Sequence, residues 1–67
     1  MKVIINHHPV TLFKGARVKE ALQRFALEHG NEMPHGPYMV TDGDGNVLRI
    51  TGRLSENQKL FIKPQNT

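Results

Sequence analysis

Apolar residues recur at two different spacings along this 67-residue chain, and the spacing changes at defined points. Val3 and Ile5 alternate with Lys2, Ile4 and Asn6, and Val10 and Leu12 alternate with Thr11 and Phe13. A period of two places each apolar pair on one face of a strand, which predicts strands over Lys2–Asn6 and Pro9–Phe13. Asn6-His7-His8-Pro9 between them carries turn chemistry, because asparagine tolerates left-handed backbone and proline fixes φ. Lys14-Gly15 ends this hairpin, and Gly15 permits a sharp change of direction. From Ala16 the period becomes helical. Val18, Ala21, Leu22, Phe25 and Ala26 follow i, i+3, i+4, i+7, i+8 spacing and form one apolar stripe, predicting a helix over Ala16–His29. Leu27 falls nearly opposite the stripe. The helix start has no Ser, Thr, Asp or Asn in the capping position, and Gly30 is a stop signal.

Neither period fits Asn31 to Pro37, which reads as a loop. Tyr38–Thr41 and Val47–Ile50 are strand patterns separated by Asp42-Gly43-Asp44-Gly45-Asn46, a turn cluster that makes them a second hairpin. Thr51 to Lys59 is polar, with Leu54 as its anchor, and Leu60–Lys63 alternates once more before Pro64. One helix cannot bury its stripe alone, and one sheet cannot bury a face alone, so the two must pack together. The expected class is α+β: a mixed sheet of four to five strands on one helix, in a single domain spanning residues 1–67. The expected core is Val3, Ile5, Val10, Leu12, Val18, Leu22, Phe25, Val40, Leu48, Ile50, Leu54, Leu60 and Ile62. Ile4, Phe13 and Phe61 fall out of phase with it and are expected on the opposite sheet face, with Thr11, Arg49 and Lys63 nearby.

Composition removes several chemistries. The chain contains no cysteine, so thiolate-held metal, iron–sulfur centres and thiol nucleophiles are excluded. No apolar run reaches the length of a membrane span, and a soluble, cytoplasmic, monomeric protein with no membrane partner is expected. The net charge of +3 is dispersed over the sequence, a distribution that favours solubility over a nucleic-acid footprint.

Candidate sites are few. Asp42, Asp44 and Asn46 match the first ligands of a calcium loop, but Val47 stands where a glycine is required and Arg53 where a bidentate glutamate is required. The segment is therefore read as a hairpin turn. His7, His8, His29 and His35 are the soft-metal donors. His7 and His8 are adjacent and should diverge, His29 and His35 flank one loop, and no spacing matches a zinc site. Among Glu20, Glu28, Glu32, Asp42, Asp44 and Glu56 no buried acid pair emerges, and no nucleophile–base arrangement accompanies them. No enzyme activity, metal or cofactor is expected.

The element order β-β-α-β-β-β, in so short a chain, resembles the β-grasp (ubiquitin-like) architecture. Lys2–Leu12 resembles the opening hairpin of ThiS- and MoaD-type sulfur carriers. Lys14-Gly15-Ala16-Arg17-Val18-Lys19-Glu20-Ala21-Leu22 is similar to their G-x-x-V-x-x-x-L turn and helix start. Leu54–Ile62 resembles the final turn and strand of ubiquitin-like proteins. The first two segments are also similar to the N-terminal part of plant-type 2Fe–2S ferredoxin domains. The resemblance implies that the last strand lies beside the first, between the hairpins, and that the protein docks onto partner proteins. It carries over no functional residue, because Pro64-Gln65-Asn66-Thr67 replaces a terminal Gly-Gly and cluster-binding cysteines are missing. The leading expectation is a non-catalytic module that binds a partner protein through its open sheet face or an edge strand, using Ile4, Phe13, Arg49, Phe61 and Lys63. A sulfur-carrier-type protein with an atypical C-terminus is one alternative. A histidine-based metal-binding or pH-sensing module is the other.

Overall fold

A computed structural model describes residues 1–65. Asn66 and Thr67, the end of the tail on which the carrier comparison turns, lie outside the described residues. The elements are β1 (Lys2–Ile5), β2 (His8–Thr11), α1 (Val18–His29), a 3-10 turn (Gly30–Glu32), β3 (Tyr38–Asp42), β4 (Val47–Leu48) and β5 (Lys59–Pro64). They form one helix against a five-stranded mixed sheet of order β2-β1-β5-β3-β4. β5 runs parallel to β1 and antiparallel to β3, so the last strand joins the two hairpins.

The first hairpin is tight, as its turn residues suggest, with its loop one residue earlier than the strand patterns place it. Ile5 pairs with His8, which leaves Asn6 and His7 as a two-residue loop. Both have positive φ, 48° and 73°. This is the backbone of a type I′ turn, whose twist matches that of the flanking strands. Asn6 also extends the β1–β5 ladder. Its N–H donates to the Leu60 carbonyl, and its side-chain Oδ1 accepts the Ile62 N–H at 2.9 Å. The side chain thus does what a backbone carbonyl would do if β1 did not turn away.

The helix begins at Val18, two residues later than the apolar period suggests, because the Ala16 N–H closes a turn onto the Phe13 carbonyl and Arg17 is extended, bridged to Arg53. The Glu20 carboxylate accepts the Arg17 N–H at 2.7 Å, one half of a capping box. The first helical donors find partners outside the helix: Val18 N–H donates to the Gly52 carbonyl and Lys19 N–H to that of Ile50. The loop after β4 therefore satisfies donors that every helix start leaves open.

The core is formed by Val3, Ile5, Val10, Leu12, Ala16, Val18, Ala21, Leu22, Phe25, Val40, Leu60 and Ile62. Leu48 and Leu54 pack against it half-buried. Ile50 departs from expectation and is 59% exposed. β4 ends at Leu48, so the alternation that placed Ile50 inward has no strand to act through. Ala26, on the apolar stripe, is exposed at the rim of a shallow groove, whereas Leu27 faces solvent as its phase requires. Thr41 is buried, and its hydroxyl has no hydrogen-bond partner.

Candidate functional site

Strand alternation divides the sheet into two faces. Val3, Ile5, Val10, Val40, Leu60 and Ile62 form the face under the helix. The opposite parity in β1 and β5 places Ile4, Lys59, Phe61 and Lys63 on the other face, with Ile4 aligned to Lys59. Across β3, Met39 is paired with Lys63 and Thr41 with Phe61. Val47, 66% exposed, pairs with Thr41 on the same face. The result is an apolar strip of half-buried Ile4, Met39 and Phe61 between the exposed lysines Lys2, Lys59 and Lys63.

Ile4, Phe61 and Lys63 thus share one surface; Phe13 does not, and Arg49 lies outside the strand pairing that defines it. Phe13 lies beyond the end of β2 and lines a groove of about 450 Å³ with Leu12, Glu20, Arg24 and Leu27. Arg49 lies in the turn after β4, its carbonyl accepting the Gly52 N–H. In both cases a strand stops before the residue that its alternation would have oriented.

The sheet edges are poor templates for another strand. β4 has two residues. In β2, the pairs Val3/Val10 and Ile5/His8 exchange ladder bonds on the β1 side, so Pro9 presents its nitrogen outward without a proton.

The first hairpin separates the adjacent histidines as expected. His7 turns toward Phe61, with ring centroids 5.8 Å apart in an edge-to-face arrangement. His8 faces the helix and stacks on His29 at a centroid distance of 4.1 Å and an interplanar angle of 19°. Glu32, in the 3-10 turn, completes the cluster. Its Oε2 lies 2.8 Å from His8 Nε2 and 3.7 Å from His29 Nδ1. Phe25 floors the pair, its ring centroid 6.0 Å from His8 and 5.3 Å from His29. His8, His29 and Glu32 are the one group of three such donors close enough to hold a metal ion among the described residues. His35 is exposed and takes no part in it. Sequence spacing misses this cluster because its members lie on a strand, a helix end and a turn.

In the second hairpin, Asp42 Oδ1 accepts the N–H groups of Asp44 and Asn46 at 2.9 and 3.0 Å. Oδ2 accepts from the Asn46 side chain at 3.2 Å. These donors, the Asn46 backbone above all, hold the Asp42 carboxyl below its usual range. The carboxylate is engaged in holding the turn.

No helix among the described residues is long and apolar enough to cross a membrane. No protein-family model matches this chain, and neither the curated proteins nor the solved structures contain a match.

Proposed function

We propose that this chain is a β-grasp domain that acts as a non-catalytic protein-binding module, using its open sheet face. The β-β-α-β-β-β order, with β5 set parallel beside β1 between two hairpins, supports the fold assignment. One observation carries the functional reading: the helix covers one side of the sheet only. On the uncovered side, Ile4, Met39 and Phe61 form an apolar strip flanked by Lys2, Lys59 and Lys63. An apolar centre with a charged rim is the general anatomy of a protein interface. The lysines select a partner surface that is apolar at its centre and acidic around it, and they speed its approach. The face is favoured over edge-strand addition, because Pro9 and the brevity of β4 blunt both edges.

The test is capture of partners from native lysate followed by amide-shift mapping with the captured protein. Lys59→Glu/Lys63→Glu changes two exposed side chains and should leave stability within about 0.5 kcal/mol. It should abolish capture, while Gln23→Glu on the outer helix surface should not. Amide shifts confined to the helix, or capture indifferent to the lysine reversal, would remove the sheet face from consideration.

A further inference from the structure

We infer that His8, His29 and Glu32 form a binding site for a borderline-soft divalent cation, with Zn²⁺ as the best match. The site lies on the helix side of the sheet, so it is independent of the open-face reading. Two imidazole nitrogens and one carboxylate are an established donor set for zinc, with further positions left to water or an added ligand. The same set is a poor match for Mg²⁺ or Ca²⁺, which require oxygen ligands.

The spacing fits. Zinc bonds of about 2.0–2.1 Å at tetrahedral angles separate two ligand atoms by about 3.3 Å. The observed separations of 2.8 Å (His8 Nε2 to Glu32 Oε2) and 3.7 Å (His29 Nδ1 to Glu32 Oε2) bracket that value. All three donor atoms lie within 4.8 Å of one another. One adjustment is required. An ion lies in the plane of each imidazole that binds it, and two planes inclined by 19° at 4.1 Å do not meet near the nitrogens. Binding therefore turns one ring and opens the stack. The histidine side chains are 35% and 31% exposed, which leaves room for that rotation. Phe25 beneath them, fully buried, bounds the pair on its inner side.

The three donors come from β2, the end of α1 and the 3-10 turn. A bound ion would cross-link the first hairpin to the helix C-terminus, a contact otherwise made by ring packing and the His8–Glu32 polar contact. It would bind the folded chain in preference to the unfolded one and raise the melting temperature.

The experiment is calorimetric titration of the untagged chain with ZnCl₂ alone, with imidazole resonances followed by NMR. The expected result is one saturable site, displacement of the His8 and His29 resonances, and a higher melting temperature in zinc, with no competition from Mg²⁺. His29→Gln and Glu32→Gln should each weaken binding at least tenfold, and His7→Gln/His35→Gln should leave it unchanged. Folding of each variant is checked by its amide spectrum. Absence of saturable binding at millimolar zinc overturns the inference. So does equal loss in the His7/His35 variant, which would indicate adventitious surface histidines. Unchanged affinity in Glu32→Gln also overturns it.

Discussion

Asn6 serves two structural purposes that substitution can separate. Its φ of 48° is a left-handed conformation, and its Oδ1 accepts the part-buried Ile62 N–H at 2.9 Å across 56 residues of sequence. Asn6→Gly keeps the first and removes the second. Leaving a buried donor unpaired costs about 1–3 kcal/mol, and partial access of water to Ile62 places this case near the lower end, about 1–2 kcal/mol. Asn6→Ala loses the acceptor and also forces a Cβ-bearing residue without a compensating local hydrogen bond into left-handed backbone, for a further ~1 kcal/mol. A core of this size supplies roughly 3–5 kcal/mol of net stability, so the alanine variant should sit close to the folding threshold. At about 4–8 °C per kcal/mol for a domain this small, Asn6→Gly should melt about 4–16 °C below the parent and Asn6→Ala lower still. Thermal and urea unfolding followed by far-ultraviolet circular dichroism measures both. If Asn6→Gly matches the parent, the side chain contributes nothing to the β1–β5 ladder. If glycine and alanine melt together, the left-handed turn is not a constraint.

Phe25 is fully buried, and Phe25→Ala should cost about 3–5 kcal/mol, comparable with the whole stability of the domain. The amide spectrum should lose its dispersion, and a well-dispersed spectrum with an unchanged urea midpoint would contradict the assigned core. Asp42 has a folded pKa below its unfolded value of about 3.9. The stabilisation it provides is therefore present above about pH 4 and is lost as pH falls through the lowered folded value. Asp42→Ala should lower the urea midpoint at pH 6 and show a smaller fall between pH 4 and pH 2 than the parent; identical acid limbs would show that the turn hydrogen bonds do not depend on ionisation.

Much of the architecture is legible in the residue pattern. Period two in Val3/Ile5 and Val10/Leu12, the helical stripe from Val18 to Phe25, and Gly45 and Asn46 between Asp42 and Val47 each encode their element locally. Alternation also places Ile4, Phe61 and Lys63 on one surface, because all three lie inside strands. It fails for Phe13 and Ile50, which lie beyond the last residue of a strand. A strand's end is set by where pairing stops, and that depends on a neighbour distant in sequence. The helix start shows the same limit. Its Glu20 cap is local, but the carbonyls of Ile50 and Gly52 that complete it come from a loop some thirty residues away.

The sequence by itself determined the elements, their order and the α+β class, because period and turn chemistry act over a few residues. Tertiary structure alone decided which side chains meet. The parallel β1–β5 pairing aligns Lys59 with Ile4 and brings Phe61 to the same uncovered face. The two-residue turn at Asn6-His7 sends His7 to that face and His8 to the helix, where the end of α1 brings His29 and Glu32 against it. Those contacts join residues 21 to 55 positions apart, and no local spacing specifies them.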